Sequence, residues 1–114
     1  MGKRFKVACL QLNSGQSVKK NLNQTLKFLK RAVKLNEKLI LTPEITNIVS
    51  SNREHLLKET YSEKNDPCLN MAKEFAENNS VWIILGSIIV KDNNKRLFNL
   101  NLNIYFLKLY SFFI

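Results

Sequence analysis

The order of apolar segments at the amino end constrains the fold more than any other feature of this sequence. Residues 5–12 (FKVACLQL) and residues 39–41 (LIL) are short apolar runs typical of strands. Between them, apolar residues recur every three or four positions, which predicts an amphipathic helix; they are Val18, Leu22, Leu26, Leu29 and Val33. Because a strand, a helix and a strand joined by short connections favour parallel pairing, we predict an α/β fold.

The rest of the chain extends this pattern. Ser17 is a predicted cap of the first helix, and Asp66 followed by Pro67 predicts the start of another that ends near residue 79. Residues 81–90 are predicted to form a third inner strand, covered on both faces like residues 39–41, and residues 97–106 alternate as in the returning strand of a hairpin. Since no repeat or linker interrupts the chain, we predict one domain.

Glu44 comes shortly after the central apolar run, directly behind Pro43. Proline cannot donate to a strand ladder, so pairing is expected to end there. The carboxylate would then stand at the carboxyl edge of the sheet, where open α/β folds bind their ligands. The residues alone leave two interpretations open, an exposed loop glutamate and a catalytic one.

The net charge of +9 is concentrated at the amino end of the chain. Nine basic residues precede the first acid, Glu37, whereas the other nine are matched by nine acids. The excess favours either a nucleic acid or anionic membrane partner, or simply a lysine-rich solvated helix face. No aromatic platform or nucleic-acid motif accompanies the lysines, so specific nucleic-acid recognition is not expected.

Two cysteines and one histidine offer little metal chemistry. Cys9 and Cys68 lack ligand spacing, and His55 stands apart from both, so we predict neither a metal nor a cofactor. Both thiols are predicted to be buried and structural.

The two ends of the chain bear on its location. The amino terminus lacks the apolar core of a secretory signal, which predicts a cytoplasmic protein. The apolar tail, residues 104–114, is interrupted by Lys108 and is too short to span a bilayer, so no membrane span is expected.

Three segments carry a family resemblance in their order and spacing. They are KVACLQLNSGQSVKKNLNQTLKFLKRAV with Gln11 and Asn21, then LILTPEITN, then ILGSIIVKDNNKRLFN. Together they resemble the amino-terminal portion of a nitrilase-superfamily carbon-nitrogen hydrolase, and among these a Nit-like amidase, over residues 6 to 99.

The resemblance implies the amino-terminal part of a four-layer α-β-β-α sandwich. It also implies a catalytic glutamate, lysine and cysteine acting on a small linear amide or nitrile. The cysteine attacks the substrate carbon, the glutamate acts as general base, and the lysine stabilises the oxyanion. Only the glutamate maps onto a motif position here, and by resemblance it is Glu44.

The chain departs from the family pattern after Asn99. Leu100 stands where close relatives have an arginine, Lys108 lacks the setting of the catalytic lysine, and neither cysteine stands in a strand-to-helix elbow. We therefore expect residues 1–114 to form a partial, truncated domain that departs from the family over residues 100–114 and is inactive in isolation.

The incomplete domain has one expected consequence for the isolated chain. The apolar face of the carboxyl-terminal hairpin would lie bare, along with Phe112, Phe113 and Ile114, and drive homo-oligomerisation or aggregation. The alternative function is a small basic module that binds nucleic acid or an anionic surface.

Overall fold

The computed structural model, which describes residues 4–105 and 108–113, contains one five-stranded sheet. The strands follow each other in space as they do in sequence; they are β1 (Val7–Cys9), β2 (Leu39–Leu41), β3 (Trp82–Lys91), β4 (Leu97–Tyr105) and β5 (Lys108–Phe113). β1, β2 and β3 are parallel, and β4 and β5 are added as antiparallel hairpins. The predicted α/β class and parallel sheet are confirmed.

Three α-helices connect the parallel strands: α1 (Val18–Lys34), α2 (Arg53–Glu59) and α3 (Pro67–Asn79). The Ser17 hydroxyl caps α1 by accepting from the Lys20 N–H at 3.2 Å. The Asp66 carboxylate caps α3 by accepting from the Leu69 N–H at 2.8 Å, with Pro67 in the first turn. Both caps were predicted from short sequence signals, and both are confirmed.

α1 and α3 pack together on one face of the sheet, as two successive crossovers of the same hand require. The core lies between these helices and alternate strand residues; its most buried large members are Leu29, Leu69, Ile40, Ile83, Leu85, Ile88, Leu100, Leu102 and Ile104. On the opposite face, Val7 is 45% and Trp82 39% exposed. The expectation that the inner strands are covered on both faces therefore holds for only one face of the described chain.

The carboxyl-terminal hairpin differs from expectation. Its apolar face was predicted to be bare, but Leu100, Leu102 and Ile104 are buried because α3 packs on β4. β5 pairs with β4, so β4 is an inner strand. The predicted end of β4 at Phe106, and the predicted exposure of the Phe112, Phe113 and Ile114 side chains, lie outside what the structure describes. Self-association stays a prediction.

No helix among the described residues is both long and apolar enough to cross a bilayer.

Candidate active site

Glu44 lies three residues beyond the end of β2, at the carboxyl edge of the parallel strands. Its side chain is exposed, and its carboxylate forms no hydrogen bond or ion pair with any other described residue. The backbone on both sides of it is held by four buried polar residues and lies close against one glycine. We describe these as the Glu44 frame: Thr42, Thr46, Asn47, Gly86 and Ser87.

Gly86 allows the segment before Glu44 to lie directly against β3. A Cβ at this position would lie 2.5 Å from the Pro43 carbonyl carbon and oxygen and 2.5 Å from the Thr42 carbonyl oxygen. Real Cβ atoms do not approach other atoms that closely, so only glycine fits here. A register shift in the pairing of β3 with β4 falls at the same place, between Leu85 and Ile88.

Two threonine hydroxyls form a short chain of hydrogen bonds beneath Pro43. The Gly86 N–H donates to Thr42 Oγ1 at 3.2 Å, and Thr46 Oγ1 donates to the Pro43 carbonyl oxygen at 2.7 Å. The two hydroxyl oxygens are 2.7 Å apart. Because the Thr46 proton is directed to Pro43, Thr42 is the donor between the hydroxyls. Hydrogen bonds therefore connect the two ends of the turn around Glu44 to each other and connect the turn to β3.

Ile45, directly after Glu44, adopts a left-handed backbone conformation with φ of 52°. This region is unfavourable for a β-branched residue, so surrounding contacts must hold it there. Ser87 supplies them: its Oγ accepts from the Ile45 N–H at 2.7 Å, and its carbonyl oxygen accepts from the Thr46 N–H at 2.8 Å. Ser87 thus fixes the direction in which the chain leaves Glu44.

The side-chain amide of Asn47 pairs with the backbone of β3, as the backbone of a neighbouring strand would. Its Oδ1 accepts from the Ile89 N–H at 2.8 Å, and its Nδ2 donates to the Ile89 carbonyl oxygen at 2.8 Å. Nδ2 also donates to Asp66 Oδ2 at 3.2 Å, which connects the loop to the start of α3. Asn47 is 1% exposed, so its hydrogen bonds are shielded from water.

The loop between β1 and α1 joins the same frame. Asn21 Nδ2 donates to the Gly15 carbonyl oxygen at 2.7 Å and to the Asn47 carbonyl oxygen at 2.9 Å. Ser14 Oγ donates to the Thr46 carbonyl oxygen at 2.9 Å. Three segments that are far apart in sequence therefore converge around the backbone of Glu44.

The Asp66 carboxyl is buried in this network. Desolvation by burial raises its pKa above the ordinary value of 3.8, against the lowering effect of the hydrogen bonds from Leu69 and Asn47. Asp66 is already occupied as a helix cap, and its negative charge helps to raise the pKa of the nearby Cys68 thiol rather than activating it. We assign it a structural role.

The two cysteines differ from each other. Cys68 is buried as predicted, and burial, with a smaller effect from the Asp66 charge, raises the pKa of its thiol to about 12. A thiol this weakly acidic is a poor nucleophile. The prediction that Cys9 is also buried is wrong, because β1 is a short edge strand and Cys9 projects from the uncovered face.

The described residues contain no group of three or more His, Cys, Asp and Glu side chains that could hold a metal ion. An open cavity of about 670 Å³ lies at the start of the β3–β4 hairpin, lined by Val90, Lys91, Phe98 and Leu100 among others. Glu44 does not line it. The chemistry available at the frame is that of one accessible carboxylate on a backbone segment held by hydrogen bonds.

Sequence reasoning placed Glu44 just beyond the end of β2, where the structure has it, but did not predict the frame. Asn47 and Ser87 lie in otherwise apolar surroundings, in TNIV and GSII. Buried polar residues of this kind are the available signal, but their partners lie about 40 residues away in sequence.

Comparison with known families decides the assignment of the fold. The family model of the carbon-nitrogen hydrolases matches residues 6–106. The chain belongs to this family. The family assignment stated from the three motifs is thereby confirmed, and the sheet with its frame is the amino-terminal part of a nitrilase-type fold.

Solved structures agree on the fold. The C. elegans NitFhit protein superposes with a TM-score of 0.78 at 20% identity, covering 92% of this chain and 27% of that one. An N-terminal amidase gives 0.73 at 22% identity, with 92% and 27% covered. The NitN amidase from Neterenkonia sp. AN1 gives 0.77 at 14% identity, with 96% and 44% covered.

The chain therefore spans between about a quarter and a half of the length of these proteins. A search of curated proteins found no significant match to the sequence.

Proposed function

We propose that this chain supplies the amino-terminal part of a catalytic domain that hydrolyses small linear amides, with Glu44 as its general base. The observation that carries the proposal is the Glu44 frame: a buried set of hydrogen bonds that leaves one carboxylate exposed at the carboxyl edge of the sheet. Catalytic groups need such restraint, because misplacement of a reacting atom by about 1 Å costs on the order of 100-fold in rate.

The backbone strain at Ile45 supports a functional role for this position. A φ of 52° at a β-branched residue costs free energy that a plain surface loop would avoid. Here the strained residue follows Glu44 directly and is held by Ser87. The strain therefore serves to aim Glu44 rather than to build the core.

The proposed substrate class rests on the family and on its structural neighbours. An N-terminal amidase with a fold similar to this chain was solved with a Gln-Gly peptide. The same protein was solved with an Asn-Glu peptide. We extend from these only the chemical class, a small unbranched molecule that presents an amide.

The isolated chain should not turn over such a substrate. General base catalysis contributes only about 10²- to 10⁴-fold and requires a nucleophile to activate. Cys68 is buried with a raised pKa, and Cys9 lies on edge strand β1, outside the Glu44 frame. Neither thiol is therefore proposed as the nucleophile.

The two unpaired thiols fit a reducing compartment, so we propose a cytoplasmic location.

A fusion tests the proposal. Residues 1–99 of this chain would replace the corresponding part of an active amidase of the family, whose remaining part provides the lysine and cysteine. Ammonia release from a short glutamine-containing peptide would then be measured for the fusion and for the 114-residue chain. We expect turnover by the fusion and none by the chain.

Two results would contradict the proposal. One is a fusion that is monodisperse and cooperatively folded but has no amidase activity. The other is turnover by the 114-residue chain that disappears on Cys9→Ala, because that thiol would then be the nucleophile. Sequencing the gene beyond the codon for residue 114 gives an independent check, since coding sequence there with a lysine motif and a cysteine elbow would support the proposal.

A further inference from the structure

Helix α1 carries a continuous row of cations on its solvent side. At 3.6 residues per turn, six basic residues fall within an arc of about 120° and extend about 22 Å along the helix axis. All six are exposed. We call them the α1 basic row: Lys19, Lys20, Lys27, Lys30, Arg31 and Lys34.

Among the described residues, no acidic side chain forms an ion pair with the α1 basic row. Helix α1 contains no acidic residue, and the first acid in the sequence is Glu37. The one ion pair among the described residues is Arg96 with Asp92, far along the chain. Solvated helix faces usually alternate the sign of their charges, whereas cations three and four positions apart, such as Lys27, Lys30 and Lys34, repel each other. An external polyanion would relieve this repulsion.

Further cations lie beyond the carboxyl end of α1. The Lys38 N–H donates to the Lys6 carbonyl oxygen at 3.4 Å, which brings the residues after the helix beside the start of β1. The side chains of both lysines are exposed. Two more cations thus lie near the carboxyl end of α1, and Glu37 separates Lys38 from Lys34 in sequence.

The surroundings of the row favour a phosphate backbone over a bilayer. The apolar side of α1 is committed to the core, with Leu29 0% and Ala32 4% exposed, so the helix cannot insert into a membrane. Asn23 lies within the same arc, and neither it nor the half-exposed Gln24 next to it offers a stacking surface for unpaired bases. A duplex carries one charge per 1.7 Å, so it presents about 13 charges along the 22 Å row.

We propose that the α1 basic row binds the phosphate backbone of double-stranded nucleic acid without sequence preference. This inference does not rest on the proposed amidase chemistry, because none of the six residues belongs to the Glu44 frame. Each neutralised phosphate contributes about −0.9 to the slope of log affinity against log salt. Four to six contacts therefore predict an affinity loss of about 10²- to 10³-fold between 50 and 200 mM salt.

Two triple variants of the intact chain separate the row from net charge. Lys27→Gln/Lys30→Gln/Lys34→Gln removes half of the row. The matched control, Lys58→Gln/Lys64→Gln/Lys95→Gln, removes three exposed cations elsewhere and reduces the net charge equally. Glutamine has nearly the helix propensity of lysine, so both should keep the wild-type far-UV circular dichroism spectrum.

Binding would be followed by fluorescence anisotropy of a labelled 20-base-pair DNA duplex of arbitrary sequence. We expect the row variant to lose at least about tenfold in affinity at 50 mM salt and to lower the salt slope by about three, as removal of three contacts requires. The control variant should lose less than about threefold. A second duplex of different sequence should bind equally well.

Three results would overturn the inference. Equal weakening by both variants would mean that the chain is attracted by net charge alone. Tighter binding to phosphatidylserine-containing vesicles than to the duplex would assign the row to a membrane surface. Loss of the folded spectrum in the row variant would show that these lysines stabilise the helix, contrary to the repulsion on which the inference depends.

Discussion

Gly86→Ala offers the sharpest test of the Glu44 frame. An alanine Cβ would lie 2.5 Å from backbone atoms of Thr42 and Pro43, whereas ordinary contact begins at 3.4 Å, so the two segments must separate by about 0.9 Å (3.4 − 2.5). Such a shift would lengthen the 2.7 and 2.8 Å bonds at Ser87 to about 3.6 Å, outside hydrogen-bonding range.

The free-energy cost follows from two routes. If the backbone yields, two or three hydrogen bonds worth about 1 kcal/mol each are lost. If it does not, overpacking costs about 1–3 kcal/mol. Because both routes give a similar cost, we expect the free energy of unfolding to fall by about 2–3 kcal/mol. This is a large share of the total of about 5–15 kcal/mol for a domain.

Urea unfolding followed by circular dichroism measures this directly. With a slope of about 1–3 kcal/mol per molar urea, the midpoint should fall by roughly 1–2 M. Gly15→Ala is the matched control, because a Cβ there has no atom within 4 Å and φ is not positive. Its stability should change by less than about 0.5 kcal/mol. A Gly86→Ala chain as stable as the control would refute the close approach.

The remaining predictions concern the buried polar groups and the thiols. Asn47→Ala would leave the buried N–H and carbonyl oxygen of Ile89 without side-chain partners, so it should cost about 3 kcal/mol by the same urea assay, whereas Asn94→Ala in an exposed turn should cost little. Thiol labelling at pH 8 should modify only Cys9 in the native chain, and both thiols once urea unfolds it; rapid native labelling of Cys68 would contradict its burial and raised pKa. Because the pKa of Asp66 is raised above 3.8, the folded state holds this proton more tightly than the unfolded state does. That stabilisation is complete below pH 3.8 and is lost as the pH rises through the raised pKa of Asp66. Asp66→Asn should therefore flatten this part of the plot of unfolding free energy against pH, measured by urea titrations between pH 3.5 and 7. An unchanged plot would argue against the burial of Asp66.

The sequence predicted best what local signals determine. The bounds of α1 and α3 follow from caps at Ser17 and Asp66, since a cap involves residues only three positions apart. The strand at residues 39–41 was predicted to the residue, because its apolar run is bounded by charge on one side and Pro43 on the other.

What the sequence did not predict depends on contacts between distant segments. The left-handed conformation of Ile45 results from Ser87, 42 positions away, and no local pattern encodes it. The exposure of Cys9 likewise depends on β1 standing at the sheet edge, whereas its sequence context is that of an inner strand. The burial of Leu100 and Leu102 required α3 to pack on β4, a tertiary contact that periodicity cannot reveal.

The proposed role of Glu44 is tested most directly by the rate of acylation in the fusion protein described above. Single-turnover release of ammonia would be compared for Glu44, Glu44→Gln and Glu44→Asp, with Glu54→Gln on exposed helix α2 as control. Loss of a general base predicts a fall of about 10²- to 10⁴-fold for Glu44→Gln, and the control should be unchanged. Glu44→Asp keeps a carboxylate on a shorter side chain. At high pH it should recover part of the acylation rate that Glu44→Gln loses, provided that this carboxylate still reaches the thiol. A folded Glu44→Gln fusion that acylates within a factor of about three of the parent would contradict the assignment.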